Sequence, residues 1–254
     1  MVFALPFYLF TAFWVGRQEG KKLSTRQWFY VAGLGIFGYY ISSFLDFTGL
    51  QFVSAGLERL ILFLYPTFVV LINAIIFKQK INRRQQVALA LTYTGIGIAY
   101  AGELQFDTGN PNLYIGSFLI FLCAITYAIY IVGSGRVIPA IGATRFTAYA
   151  MLSATLGIFI HFMIAEKVAN PMSTNEIWVY GLLLAIIATV IPSFLISFGM
   201  KSIGSNNVAI VSGIGPVATI IQAHFILGEP IFPAQIAGTI LVICGVLLIG
   251  WKTT

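Results

Sequence analysis

The sequence predicts an all-α, polytopic bundle of membrane-spanning helices, and three observations carry that reading. First, 59% of its 254 residues are hydrophobic and only 9% are charged, with a mean hydropathy of +0.92. A soluble domain of this length could not cover its surface with so few charges. Second, apolar runs near or above the roughly 18 residues that span a bilayer recur from end to end, leaving no room for a soluble domain. Third, the runs lack the alternating pattern of barrel strands, and a backbone in hydrocarbon must satisfy its own amides, so the segments are helices.

Nine segments follow in order, at 2–16, 28–47, 53–77, 85–101, 113–133, 145–164, 177–198, 205–227 and 233–251. The breaks between them are polar or rich in Gly and Pro, as at Arg17 to Lys22, Lys78 to Arg84, Gly109 to Asn112 and Gly228 to Pro230. The first segment is short, since about fifteen residues at 1.5 Å each reach roughly 23 Å across a core of roughly 30 Å. It reads either as a tilted entry helix or as a helix whose start, with one more helix before it, precedes this sequence.

The second segment holds Gly33, Gly35 and Gly38 at the spacing G-x-G-x-x-G. A dinucleotide fingerprint needs a strand before it and a helix after it, whereas this one lies inside an apolar helix, where small residues serve close packing. Gly95 with Ala99 and Gly181 with Ala185 have the same packing character. Cys123 and Cys244 sit within apolar runs and read as small hydrophobes.

The net charge of +6 forms no basic face interleaved with aromatics, so it does not point to nucleic acid. It is a topology signal. Arg17, Lys21, Lys22, Arg26, Lys78, Lys80, Arg83, Arg84, Arg136, Arg145, Lys201 and Lys252 fall on alternate connections, opposite Glu103, Asp107, Glu166, Glu176 and Glu229 with Lys167. The basic side is cytoplasmic by the positive-inside rule, which puts the carboxyl terminus inside and Met1 outside.

At an offset of 150 positions Gly49 falls on Gly199, Pro66 on Pro216, Ile81 on Ile231, Gln85 on Gln235 and Gly95 on Gly245 without a gap. The matches include prolines and glycines, whose backbone consequences are specific. Five spans separate the partners, so the two copies run in opposite directions through the membrane. Inverted repeats suit alternating access, in which one site opens first to one side and then to the other.

The stretch from Gly49 to Thr67, with Gly56-Leu57-Glu58-Arg59 and Tyr65-Pro66-Thr67, resembles the third-to-fourth-helix signature of EamA-type permeases in the drug/metabolite transporter superfamily. Ile214-Gly215-Pro216-Val217-Ala218, Leu227-Gly228-Glu229-Pro230 and the helix from Gly238 to Gly250 are similar to the family's closing helices. The resemblance implies a ten-helix fold of two five-helix inverted repeats, here 1–101 with helix one missing and 113–251. Lys78-Gln79 stands where the second repeat has Gly228-Glu229, a departure from the pattern.

Within this frame the ionisable groups inside the membrane carry the functional expectations. Asp46, Glu58 and Arg59 are costly there, and such groups mark a substrate path or clasp two helices in register. Glu58 lies about 100° round the helix from Arg59, so each needs another partner, and Asp46 is expected at the depth of Arg59. Pro66 and Pro216 each remove an amide near the middle of a spanning helix, which points to a midplane site or to kinks made for packing. Arg59, Pro66 and Asn73 are spaced to share one stripe.

Tyr65, Tyr127 and Ser212 complete the expected site. Tyr39, Tyr40, Tyr93 and Tyr130 could line an aromatic cavity or simply pack. His161 and His224, near outer helix ends, suit interhelical hydrogen bonds.

No cofactor or metal pattern is present: H-E-x-x-H, a nucleotide loop and paired carboxylates at ligand spacing are all missing from the sequence. The expectation is a non-enzymatic secondary transporter in the cytoplasmic membrane that exports or exchanges a small amphipathic metabolite. Proton-coupled uptake is the alternative, and a membrane enzyme or scaffold the more distant one. Its partners are a small-molecule substrate, the lipid bilayer and, through the carboxylates, a coupled proton. The assembly is monomer or homodimer.

Overall fold

The computed structural model of the protein describes residues 1–18, 23–53, 55–100, 111–164, 175–215, 217, 218, 221, 224, 225 and 231–250. Every regular element among them is helical. Four stretches are long and apolar enough to cross a membrane: Thr25–Gly49, Leu113–Ile141, Ala143–Ile164 and Trp178–Ile214. Val2–Arg17, Tyr65–Ile76 and Pro233–Ile249 are shorter apolar helices.

A 3-10 turn, Val2–Ala4, leads into α1, Leu5–Gln18. The second helix, α2, Thr25–Gly35, opens on a capping box: the Gln27 amide donates to Ser24 Oγ, and the Ser24 amide donates to Gln27 Oε1 at 2.9 Å. It continues through a π-helical stretch, Ile36–Ile41, into α3, Ser42–Gly49.

The segment expected as one helix over 53–77 is two, α4 at Ala55–Leu62 and α5 at Tyr65–Ile76. Pro66 explains the difference. In mid-helix its ring would strike the carbonyl a turn earlier, whereas in the first turn of α5 its missing amide is one that no helix satisfies. The end of α4 tightens, with the Leu64 amide on the Ile61 carbonyl at 3.0 Å.

Asn82 caps α6, Arg83–Tyr100, accepting the Arg84 amide at 3.2 Å. Then α7, Leu113–Ile141, runs through Pro139 beyond the expected end at 133, so Arg136 lies inside a helix and not in a connection. Only Gly142, at φ 85°, separates it from α8, Ala143–Ile164.

The sequence put a break between 198 and 205. The structure narrows it to one residue. After α9, Asn175–Leu183, and a second π stretch, Leu184–Val190, α10 covers Ile191–Val211 and is interrupted only by Gly204 at φ 80°, ψ 164°. A Cβ on Gly204 would meet nothing within 4 Å, so backbone conformation and not crowding calls for glycine there. A 3-10 turn, Ser212–Ile214, follows, and α11, Pro233–Gly250, closes the chain.

The chain divides into two compact units. Unit 1 is Met1–Ile41 with Ile129–Gly204, and unit 2 is Ser42–Ala128 with Ser205–Thr254. In unit 1, Ala4, Tyr8, Met151, Ala185 and Val190 form a core, and Gly35 lets α2 abut the backbone of Ala150. In unit 2, α6 and α11 pack closely. A Cβ on Gly95 would lie 2.6 Å from the Gly238 carbonyl oxygen, and one on Gly245 2.8 Å from that of Ala88. Gly33 has open space around it, so among the three spaced glycines Gly35 and Gly38 are the ones that pack.

Candidate functional site

The close approach of two helices of unit 2 sets the first part of the site. A Cβ on Gly49 would fall 3.0 Å from the Gly116 carbonyl oxygen and 2.6 Å from the Ile120 side chain, so α3 and α7 nearly touch there. About two turns earlier, Ser42 Oγ meets Thr126 Oγ1 at 3.2 Å. Asp46 lies between these contacts, on the same side of α3 as Ser42 and Gly49.

The Asp46 carboxyl is hydrogen-bonded to that of Glu58 on α4. Glu58 is 7% exposed and feels the positive charge of its neighbour Arg59. Cys123, 4% exposed on α7, is within electrostatic range of both carboxyls. Asp46 Oδ1 is buried and accepts no hydrogen bond. A hydrogen bond between two carboxyls needs a proton on one of them. The sequence set Asp46 at the depth of Arg59; the structure sets its carboxyl on Glu58, with Arg59 attracting Glu58 in turn.

The second part forms where the chain restarts after the break at Phe63 and Leu64. Tyr65 is buried, donates to the Ala209 carbonyl at 3.4 Å and engages the Ser212 side chain. Its ring meets that of Tyr127 edge-on, with centroids 5.0 Å apart. Ser212 Oγ in turn donates to the Val208 carbonyl at 2.9 Å. Beside them Tyr93 OH lies 2.6 Å from Thr67 Oγ1 and accepts the Thr67 amide at 3.3 Å.

Tyr65, Tyr127 and Ser212 therefore come together, with Pro66 buried next to them. Cys123 and Tyr127 are one turn apart on α7, so a single face of that helix joins the carboxyl pair to the tyrosines. Cys123 and Thr67 are additions that sequence reasoning missed. Their signal was position: Cys123 is four residues before Tyr127, and Thr67 directly follows Pro66.

Pro216 lies outside the described residues, as do Lys21, Lys22, Glu103, Asp107, Glu166, Lys167, Glu229 and Lys252, on which much of the charge asymmetry rests. Tyr39, Tyr40 and Tyr130 belong to unit 1. There Tyr130 OH donates to Tyr39 OH at 3.3 Å, and Tyr40 OH lies 2.9 Å from His161 Nδ1, an interhelical bond. His224 is exposed beside Phe225. Among the described residues, no three His, Cys, Asp or Glu side chains are grouped to hold a metal ion.

The sequence model of the EamA-like transporter family matches residues 1–101 and 114–251. The uncharacterized transporter YcbK of Bacillus subtilis (strain 168) is 33% identical over 224 residues, covering 87% of this chain and 70% of that protein. YyaM of the same organism, also an uncharacterized transporter, is 26% identical over 84% of this chain and 70% of its own length. An uncharacterized transporter of Archaeoglobus fulgidus is 25% identical over 96% of this chain and 83% of its own. One solved crystal structure shares the fold, with a TM-score of 0.78 at 19% identity over 98% of this chain and 87% of that one.

Proposed function

Because the chain belongs to the EamA-like transporter family, we propose that it is a secondary transporter that exports or exchanges a small amphipathic metabolite, amino-acid-like or drug-like, across the cytoplasmic membrane by alternating access. The observation that carries this reading is the group of buried Glu58 with half-buried Asp46 and Arg59, which shares a face of α7 with Tyr65, Tyr127 and Ser212.

A lone charge at the bilayer centre costs about 2.5 to 3.5 kcal/mol on insertion scales, so a chain does not keep three without compensation or use. In the empty site Glu58 serves as counter-ion to Arg59, and Asp46 shares its proton. An anionic group of the cargo that takes Arg59 releases Glu58 to accept a proton of its own. A cargo amine finds the unengaged oxygen Asp46 Oδ1. The edges of Tyr65 and Tyr127 pack on the apolar part of the cargo, while Tyr65 and Ser212 hydroxyls order its polar part.

Proton exchange at the pair then couples to cargo movement. The two copies over 1–101 and 113–251 supply the inward and outward states, with the carboxyl terminus and basic connections on the cytoplasmic side. Uptake driven by protons is the second reading, favoured by the same carboxyl pair, because a proton-binding site works in either direction.

The test is flux of labelled amino acids and amphipathic amines in proteoliposomes under an imposed pH gradient. Wild-type protein should move at least one cargo and respond to the gradient. Absence of flux for the whole panel by folded protein would overturn the transport reading. Unchanged flux and pH response in both Arg59→Lys and Asp46→Asn would reduce the charged group to a structural clasp.

A further inference from the structure

Within unit 2, one set of helix contacts repeats at the 150-residue offset and another does not. Where α6 meets α11, a Cβ on Gly95 would lie 2.6 Å from the Gly238 carbonyl oxygen and 2.9 Å from the Val242 side chain. A Cβ on Gly245 would lie 2.8 Å from the Ala88 carbonyl oxygen and 2.7 Å from the Thr92 side chain. Ala88, Thr92 and Gly95 stand 150 positions before Gly238, Val242 and Gly245, so each helix offers the other an equivalent surface. The helix starts match too. The Asn82 amide donates to Gln85 Oε1 at 3.1 Å, and the Phe232 amide to Gln235 Oε1 at 2.9 Å.

The contact between α5 and the part of α10 after Gly204 is of the other kind. Asn73, fully buried one turn before the end of α5, donates from Nδ2 to Ser205 Oγ at 3.1 Å and to Asn206 Oδ1 at 2.6 Å. Asn207 accepts from Gln85 Nε2 at 2.9 Å, which ties the start of α6 to the same level. At the offset, Asn73 corresponds to Ala223, and Ser205, Asn206 and Asn207 correspond to Ala55, Gly56 and Leu57. None of those four has a side chain that can give or take a hydrogen bond. This contact can therefore form at one end only.

Its place follows from helix geometry. Asn73 is eight residues after Tyr65, about 12 Å along α5, and Ser205 is seven before Ser212, about 10 Å back along α10. The two helices thus meet at two levels. One is Tyr65 with Ala209 and Ser212, and the other is Asn73 with Ser205 and Asn206, toward the connection that holds Lys78 to Arg84.

When inverted copies exchange conformations, a contact that maps onto itself survives, whereas one that maps onto different residues is broken. The seam of α6 and α11 maps onto itself; the Asn73 contact maps onto Ala223 and Gly56. It is also balanced for release, because Asn73 Oδ1 is buried without a hydrogen bond. Closure gains the bonds of Nδ2 and costs the hydration of Oδ1, which water restores once the helices part.

We propose that Asn73, Ser205 and Asn206, backed by Gln85 and Asn207, form the gate of the cargo path on the Lys78 to Arg84 side, while the seam of α6 and α11 stays closed throughout. The inference rests on the transport reading for its purpose. Its test measures opening and needs no cargo, so the two can fail separately.

Ala209→Cys places a thiol on α10 between the gate and Ser212, at a position with no exposure. A membrane-impermeant thiol reagent is applied to right-side-out and inside-out vesicles holding the full chain, and peptide mass mapping separates position 209 from Cys123 and Cys244. Lys80→Cys, on the exposed connection, identifies the side that faces the gate. From that side position 209 should react slowly, and at least tenfold faster when Asn73→Val removes the amide. Asn206→Ala should raise the rate by a smaller factor, and carries the test if Asn73→Val fails to fold. Thr92→Val, which removes a hydroxyl without a hydrogen bond and makes the seam alike in both directions, should leave the rate unchanged. Equal reaction with and without the gate substitutions would overturn the proposal. A rise in Thr92→Val as large as in Asn73→Val would overturn it also, because any loosening of unit 2 would then expose position 209.

Discussion

The two units bury polar groups of different kinds. Unit 1 pairs hydroxyls: Tyr8 with Ser193 at 2.9 Å, Thr147 with Ser197 at 2.7 Å, Tyr130 with Tyr39 at 3.3 Å. Each pair joins residues far apart in the chain, and both partners are satisfied by groups that stay neutral. Unit 2 buries Glu58, Asn73 and Asn206, and leaves Asp46 Oδ1, Asn73 Oδ1 and Thr92 Oγ1 without a hydrogen bond, where unit 1 leaves Ser134 Oγ and Arg145 Nε. Neutral, mutually satisfied hydroxyls fix helices in register. Charged or unsatisfied groups cost free energy in lipid and are kept where something binds. On the proposed function, the paired hydroxyls of unit 1 serve as scaffold, and the carboxyl pair of unit 2 carries the ligand chemistry.

The sharpest way to break that contrast is to neutralise the carboxyls. Asp46→Asn with Glu58→Gln should cut flux about a hundredfold, equivalent to ~2.7 kcal/mol, and abolish its response to a pH gradient. Circular dichroism should show the helices retained. If this double variant behaves like wild type, the difference between the units is one of packing only.

Next in size is Gly95→Val, because its new carbon meets the Gly238 backbone oxygen, which cannot move aside. Overpacking of this kind should cost about 1–3 kcal/mol in stability, read as a fall in the detergent-melting midpoint. Gly35→Val in unit 1 faces the Ala150 backbone and should lose as much, so the units are equal in packing while unequal in chemistry.

Smaller still is Tyr65→Phe, which removes the hydroxyl bound to Ala209 and Ser212 but keeps the ring on Tyr127. It should raise the cargo concentration for half-maximal flux several-fold, with about 1 kcal/mol lost. Tyr8→Phe in unit 1 is the matched control. It should cost about 1 kcal/mol of stability by leaving Ser193 with one fewer partner, yet leave the cargo dependence of flux unchanged.

Much of the fold was legible because hydropathy alone marks a helix that must satisfy its amides in lipid. The expected segments at 28–47, 85–101, 145–164 and 233–251 correspond to helices whose ends differ by a few residues. What hydropathy could not supply was interruption. Leu64 and Tyr65 are as apolar as their neighbours, so the restart of the chain before Pro66 is invisible to a sliding window. Conversely, Pro139 looks like a stop but sits within α7, near its carboxyl end.

The site was legible as a set of costly residues, less so as an arrangement. Glu58 and Asp46 stood out because lipid penalises them, but the approach of Cys123 to Asp46 depends on how closely α3 lies against α7. That distance follows from Gly49 meeting Gly116, a pairing across 67 positions that no local pattern encodes. Cys123 read as a small hydrophobe for the same reason: nothing in its own surroundings along the chain announces the two carboxyls.

The π-helical stretch at Ile36–Ile41 has a consequence for chain length. A π turn takes up about one residue more than an α turn. Removing one residue from this stretch would let it relax to ordinary α geometry while the helix beyond it kept its facing, so Asp46 would still meet Glu58. Removing one between Ser42 and Asp46 finds no such slack. It would swing the carboxyl about 100° round α3 and away from its partner. Insertions and deletions should therefore accumulate among relatives at 36–41 and be purged from 42–46. The carboxyl pair is guarded by the count of residues before it as strictly as by the identity of the residues themselves.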